Sequence, residues 1–255
     1  MSYKRSKYFT TLSKRKIKYL FIKKNSQITV VFFHGFMSDM IGAKPNAIQK
    51  FCKKQKLNFL KFEYSGHGRS SGKFIDGNIS KWTSDAKQLI RSKTKKDKNL
   101  IFIGSSMGSW IALNLFPTFK KKIKGFIGIS SAPEFLEDLM WKKLNNKIKK
   151  IIMTKKIYYL ERGEFTYPLT EQLILDGRKN KVLNNKIYLN IPIVLFHGTN
   201  DEVVPLNASR KIFKIFKKSK KKLIKIKNGD HSLSRKSDLK KICNELNRMI
   251  KDHAL

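Results

Sequence analysis

Short, nearly uninterrupted apolar runs alternate along the chain with longer stretches whose apolar positions recur every three to four residues. The runs at 28–33, 59–64, 100–103, 126–129, 193–196 and 223–226 have the length and the β-branched or aromatic content of strands. An earlier run at 17–22 reads the same way. Helical patterns fill most of the intervals, at 43–55, 80–93, 109–116, 206–217 and 237–251. Strand and helix in regular alternation predict an α/β protein with a mostly parallel central sheet and helices on both faces. The unbroken apolar runs agree, because central parallel strands are buried on both sides. The rhythm fails between 130 and 190, where a stretch rich in Lys and aromatics predicts helices and loops inserted after a strand. The expected organisation is one domain over 1–255, with a cap insertion at about 131–190 over the carboxyl edge of the sheet. No internal repeat or low-complexity linker interrupts it.

A chain of 255 residues with 40% hydrophobic content can bury a sizeable core, which excludes a disordered tail or a small stapled scaffold. Its charge is unusual: 56 Lys+Arg face 18 Asp+Glu, for a net +38. Alone, that points to nucleic acid or an anionic surface. The kind of basic residue says otherwise, since 47 are Lys and only 9 are Arg, the preferred bidentate reader of phosphates and bases. Uncharged residues share the bias, with 28 Ile and 17 Asn against 7 Ala and 6 Pro. Lys, Asn, Ile and Phe have A/T-rich codons, so the profile is that of a coding bias. No specific nucleic-acid partner is expected; a weak attraction to anionic substrates or membrane surfaces is what the charge leaves. The lysine runs at 120–122 and 217–222 read as solvated faces.

Cys52 and Cys243 have no CxxC or metal spacing around them, so neither a disulfide framework nor a metal site is expected, and a reducing, cytoplasmic setting fits. No uncharged run approaches the roughly 18 residues of a membrane span. Residues 1–24 are basic but lack the apolar core of a secretory signal. Their lack of acidic residues would also suit an organellar transit peptide, but 17–22 reads better as a strand.

The most informative residues are Gly104-Ser105-Ser106-Met107-Gly108, a Gly-x-Ser-x-Gly pattern with a β-run before it and a helical pattern after it. A sharp strand-to-helix turn holds such a serine in a strained backbone conformation, and the glycines leave room that side chains would fill. The turn sets Ser106 at the carboxyl edge of the sheet beside a helix N-terminus, which favours developing negative charge.

A serine hydroxyl is a poor nucleophile near neutral pH, so a base and an orienting carboxylate should follow. The later histidines are His197, His231 and His253. His253 lies near the chain end, and His197 ends a strand, where a packed or hydrogen-bonded role is expected. His231, in the Gly-containing loop Asn228-Gly229-Asp230-His231-Ser232 between the last strand and the last helix, is the expected base. Asp201, in the loop after the 193–196 strand, is the expected acid. Glu202 reads as a solvated charge, Asp230 is too close in sequence to His231, and Asp138 and Asp176 fall in the insertion. The first oxyanion donor should be the N–H of Met107 and the second that of Phe36, in the turn after Val31-Phe32-Phe33-His34-Gly35. His34 is expected to brace that loop. The turn Tyr64-Ser65-Gly66-His67-Gly68-Arg69-Ser70 matches neither phosphate-binding glycine motif.

Together, His34-Gly35, the 64–70 turn, Gly104 to Gly108, His197 to Pro205 and Gly229-Asp230-His231 resemble the α/β-hydrolase superfamily over nearly the whole chain. Within it, Phe36 to Lys44, Phe51-Cys52-Lys53, Phe62 to Gly66, Lys81-Trp82 and Gly104 to Trp110 resemble the abhydrolase-domain palmitoyl-protein thioesterases and acyl-glucuronide esterases, with their bacterial relatives. The resemblance is strong over 30–130 and 193–235 and weak in the insertion. It implies hydrolysis of acyl thioesters or carboxylic esters on small-molecule or acylated-protein substrates, through Ser106, Asp201 and His231 and an acyl-enzyme, with no metal or organic cofactor. Ser rather than Asp at the turn argues against the dehalogenase and epoxide-hydrolase variants. Phe135, Trp141, Tyr158, Tyr159, Phe165 and Tyr167 would line an acyl tunnel or form the cap's own core. The alternatives are a general carboxylesterase or lipase-like enzyme, and a non-catalytic basic binding protein on the same fold.

Overall fold

The computed structural model describes residues 6–251 apart from Glu164; His253 lies outside the described residues. The chain runs through β1 (Lys7–Thr10), β2 (Lys16–Ile22), β3 (Ile28–Phe33), α1 (Ala43–Lys54), β4 (Asn58–Phe62), α2 (Ile79–Lys93), β5 (Asn99–Ser105), α3 (Met107–Asn114), the short α4 (Phe116–Phe119) and β6 (Ile123–Ile129). It continues through α5 (Asn146–Lys155), β7 (Ile157–Arg162), β8 (Phe165–Thr170), α6 (Glu171–Lys179), β9 (Pro192–Gly198), α7 (Asn207–Ile215), β10 (Lys220–Ile226) and α8 (Lys236–Lys251).

Among the described residues, eight strands form the central sheet in the order β1-β2-β4-β3-β5-β6-β9-β10. β2 pairs antiparallel with both neighbours, and every other pairing is parallel. Alternation along the buried strands sends successive side chains to two cores. Val31, Phe33, Phe102 and Phe126 pack under α2 and α3 with Trp82, Leu89 and Ile111. Val30, Phe32, Ile101, Ile103 and Ile127 face α1 and α8, meeting Ile48, Cys52, Ile242 and Leu246.

From β3 the chain steps to one side through α1 into β4, then crosses back through α2 to the other side, into β5. Connections leaving adjacent strands in opposite directions open a crevice at the strands' carboxyl ends, which is where α/β sheets bind ligands. The loops after β3 and β5 meet there.

Between β6 and β9 the chain leaves the sheet. Helical turns at Leu136–Met140 and Trp141–Lys143 lead into α5, a two-stranded antiparallel hairpin of β7 and β8, and α6. The hairpin departs from the expected helices and loops. It forms because Ile157 to Leu160 and Phe165 to Tyr167 are β-formers on either side of Gly163, which turns with φ of 56°. β1, too short and basic to stand out in the sequence, is the other unexpected strand. α6 is tied to the body of the fold: Ser80 N–H donates to Asp176 Oδ2 at 2.8 Å, and Trp110 Nε1 donates to Asn180 O at 2.8 Å. Lys220, Lys221 and Lys222 stand exposed on β10, the sheet's edge, with Lys222 paired to Glu245 at 2.8 Å. Among the described residues no helix is long and apolar enough to cross a membrane.

Candidate active site

Ser106 sits between β5 and α3 with φ 51° and ψ −119°, a left-handed conformation that costs a non-glycine residue of order 1–3 kcal/mol. Its surroundings hold it there. Ser106 N–H donates to Ile129 O at 2.9 Å, and Ser106 O accepts from Ser109 N–H at 3.0 Å and Ala132 N–H at 3.2 Å. The flanking glycines are steric requirements: a Cβ on Gly108 would fall 2.2 Å from Phe33 O, and one on Gly104 2.5 Å from Ser109 Cα.

Asp201, in the loop after β9, and His231, in the loop after β10, come together at Ser106. His231 Nε2 lies 3.1 Å from Ser106 Oγ, while its Nδ1 lies 2.9 and 3.0 Å from the two oxygens of Asp201. A carboxylate only accepts, so Nδ1 carries the proton and Nε2 is free to accept from the serine hydroxyl. Asp201 Oδ1 also accepts from the N–H groups of Val203 and Val204 at 3.0 and 2.8 Å, and its side chain is 1% exposed. Burial alone would raise its pKa; the hydrogen bond and charge of His231, the Val204 N–H and the charge of His197 outweigh it and hold the carboxyl below the usual range. Asp201 is therefore the ionised partner.

The other candidates are placed elsewhere. His197 is buried, with its ring nitrogens 3.0 Å from Ser209 Oγ and 2.9 Å from Val204 O, which makes it a hydrogen-bonded brace of the Asp201 loop. Asp230 Oδ1 caps its own turn by accepting from Leu233 N–H at 2.8 Å. Asp138 pairs with Lys142 and Lys211 at 2.7 and 3.2 Å. Glu202 is exposed at the rim of the cavity.

The loop after β3 lies directly against the serine: a Cβ on Gly35 would stand 3.5 Å from Ser106 Cβ. The N–H groups of Phe36 and Met107 take no acceptor among the described residues. His34 donates from Nδ1 to Gly35 O at 2.8 Å and so braces the loop. Its ring lies 5.0 Å from that of His67. Burial pushes the pKa of His34 down to about 4; burial, then the neighbouring His34, pushes that of His67 down to about 3.

A cavity of about 1070 Å³ opens over Ser106 and His231. Phe36, Phe135, Leu139, Met140, Phe165 and Tyr167 give it an apolar wall; Ser38, Asp39, Lys44, Asp230, Ser232 and Ser234 give it a polar one. The six aromatics of the insertion divide accordingly. Phe135, Phe165 and Tyr167 line the cavity, whereas Trp141 packs under the Arg178 guanidinium at 4.8 Å, Tyr158 is half-buried against the core and Tyr159 is exposed. Lys44, which the sequence offered only as the end of the Phe36 to Lys44 motif with no role of its own, also reaches the cavity. Its ammonium donates to Ser232 O and, at 3.4 Å, to Ser234 Oγ; burial lowers its pKa, against the opposing charge of Asp230.

A mostly parallel eight-stranded sheet with one reversed strand, and a strained serine between strand and helix facing a histidine and a carboxylate from the last two strand ends, defines an α/β-hydrolase. The family model Hydrolase_4, described as serine aminopeptidase, S33, matches residues 24–167, more than half of the chain, and the chain belongs to that family. The human mitochondrial palmitoyl-protein thioesterase ABHD10 is 29% identical over 215 residues, covering 82% of this chain and 69% of the relative. Among solved structures, a putative hydrolase from Agrobacterium vitis superposes with a TM-score of 0.90 at 28% identity, over 96% of this chain and 98% of that one. Mouse alpha/beta hydrolase domain-containing protein 10 does so with a TM-score of 0.86 at 25% identity, over 97% and 98%. Est1E from Butyrivibrio proteoclasticus, with ferulic acid bound, shares the fold with a TM-score of 0.80 at 21% identity, over 96% and 98%.

Proposed function

We propose that this hydrolase cleaves acyl thioesters or carboxylic esters with long apolar acyl groups, through an acyl-enzyme on Ser106, and that palmitoyl-protein thioesterase-like activity is its best match. The observation that carries the reading is the Ser106–His231–Asp201 relay opening onto a cavity with one apolar and one polar wall.

In the first step His231 Nε2 takes the proton from Ser106 Oγ as that oxygen attacks the acyl carbon. The oxyanion is received by the Phe36 and Met107 N–H groups beside the N-terminus of α3, and Asp201 stabilises the imidazolium. The tetrahedral intermediate collapses when His231 passes its proton to the departing sulfur or oxygen. The leaving group must therefore lie next to His231, on the side of Asp230, Ser232, Ser234 and Lys44, which leaves the apolar wall for the acyl chain. Water then repeats the sequence with His231 as base and frees the acid and Ser106. The segment at about 131–190 serves as the cap, and its Phe135, Phe165 and Tyr167 select the acyl group.

A serine-directed phosphonate should label the wild type and not Ser106→Ala, and palmitoyl thioesters should turn over faster than acetyl thioesters. The reading fails if Ser106→Ala turns over the best substrate at the wild-type rate. A general esterase, the second reading, is favoured if esters of matched chain length outpace thioesters; peptide amides complete the series because of the family's description. A non-catalytic anion binder would show no labelling and a steep salt dependence of binding. With two cysteines and no disulfide framework, the enzyme is proposed to work in the cytoplasm, which fractionation of the source cell tests.

A further inference from the structure

β4 reads Asn-Phe-Leu-Lys-Phe, and all five residues are buried. Lys61, its fourth residue, is 0% exposed. An ammonium taken from water costs several kcal/mol unless it is paired and hydrogen-bonded, and an apolar side chain of similar volume would fill the same space at no such cost. The partners of Lys61 show what the charge secures. Its Nζ donates to Asn46 Oδ1 at 2.9 Å, and Asn46 Nδ2 donates to Ile41 O at 2.5 Å. Ile41 N–H in turn donates to Asp39 Oδ1 at 2.7 Å, and Asn46 N–H donates to Gly42 O at 3.2 Å. Charged groups facing Lys61 include Asp39, from this loop, and Glu63, just past the end of β4. Glu63 is itself fixed by the Arg69 N–H at 2.7 Å.

The segment so anchored is the 36–42 loop, and its other end is also held. The Phe36 ring is wedged 5.0 Å from Phe74 and 5.2 Å from Phe135. Directly after Phe36, Met37 has φ of 51°, in the left-handed region that a bulky side chain avoids. Such strain persists only where the surroundings over-determine it. We propose that Lys61 is a positioning residue for the reaction: through Asn46 and Ile41 it holds the 36–42 loop so that the Phe36 N–H points at the developing oxyanion. This rests on the serine mechanism proposed above.

Burial brings the pKa of Lys61 down to about 8, against the raising charges of Asp39 and Glu63. Its positioning charge is therefore full below that value and is lost as pH rises through it, whereas an arginine at this place stays charged.

The test uses the full chain and its best thioester substrate, with Lys61→Met, Lys61→Arg, Asn46→Ala and Ser106→Ala. Lys61→Met and Asn46→Ala should lower kcat by about 10-fold or more with KM within about 3-fold, since a small misplacement of an oxyanion donor acts on the transition state alone. The wild type should show an alkaline fall in kcat near pH 8, and Lys61→Arg should recover part of kcat and lack that fall. The proposal is overturned if Asn46→Ala, or Lys61→Met with a native circular dichroism spectrum, keeps kcat within about twofold of wild type, or if Lys61→Arg recovers nothing. Should Lys61→Met not fold, Asn46→Ala carries the test. Turnover that survives Ser106→Ala removes the serine mechanism itself; turnover lost there but unchanged in Asn46→Ala removes only the role of Lys61.

Discussion

Gly198, at the end of β9, lies against Gly229, two residues before His231: a Cβ at position 198 would stand 2.2 Å from Gly229 O and 2.6 Å from Asp230 O. The contact continues as hydrogen bonds from Asn200 N–H to Gly229 O at 2.9 Å and from Asn228 N–H to Thr199 Oγ1 at 2.8 Å. Asp201 and His231 are thus carried on two loops sewn together, and their 2.9 Å approach depends on a missing methyl group. Gly198→Ala should force the loops apart and lower kcat by about 10-fold or more, with KM little changed. Steady-state kinetics beside a thermal unfolding curve separate that effect from simple loss of folded protein.

Replacing Asp201 by Asn keeps the shape but offers an amide where His231 needs an acceptor that stabilises positive charge. kcat should drop by on the order of 10⁴ while phosphonate labelling becomes slow rather than absent. Because the native environment holds the Asp201 carboxyl below the usual range, its protonation should not contribute to any loss of activity on mild acidification. A pH–rate profile of the wild type checks this: an acid limb falling with the carboxylate range would contradict the assignment.

Phe165 is 64% exposed and still lines the cavity mouth, so its removal should spare the fold. Phe165→Ser should lower kcat/KM for a palmitoyl thioester by about tenfold, the loss of roughly two buried methylenes' worth of contact. An acetyl thioester, too short to reach the hairpin, should be unaffected. Equal losses for both chain lengths would show that the hairpin does not touch the acyl chain.

The buried pair His34 and His67 predicts how stability responds to acid. Their folded pKa values of about 4 and about 3 lie below the ordinary 6.5, so the unfolded chain takes up protons first as pH falls. Their stabilising contribution is complete above about pH 6.5 and erodes down to about pH 4 and below, at up to about 1.4 kcal/mol per unit for each group. Urea midpoints should decline over that window, and His67→Leu should flatten the decline. A midpoint constant down to about pH 4 would refute the prediction.

The sheet and its flanking helices were legible because their signals are strong and local. The 28–33 run is apolar on both faces, and Gly104 to Gly108 joins strand and helix in only one familiar way. Ser106, His231 and Asp201 followed from chain order, since each ends or follows a strand whose place in the sheet the alternation supplies. The β7–β8 hairpin escaped because the apolar run Ile157 to Leu160 is only four residues long and follows directly on the helical pattern of α5, which it resembles a continuation of. Lys61 escaped for the opposite reason: a charge between Leu60 and Phe62 vanishes into the average of the run, although a lysine in a strand buried on both faces is the more telling signal. The division of the insertion's aromatics, with Phe165 on the cavity and Trp141 under Arg178, depends on how α5 and the hairpin pack, and no pattern within the segment encodes that.

Lys220, Lys221 and Lys222 line β10, whose outer side has no partner strand among the described residues. An open strand edge is a template on which a second chain can continue the ladder. Two molecules meeting there would have to bring their ammonium groups into register at a strand spacing of about 5 Å, well inside the roughly 8 Å over which physiological salt screens them. Lys220 and Lys221, exposed at this edge, would therefore disfavour a second chain that continued the ladder, and concentrated salt is the condition under which that protection would weaken.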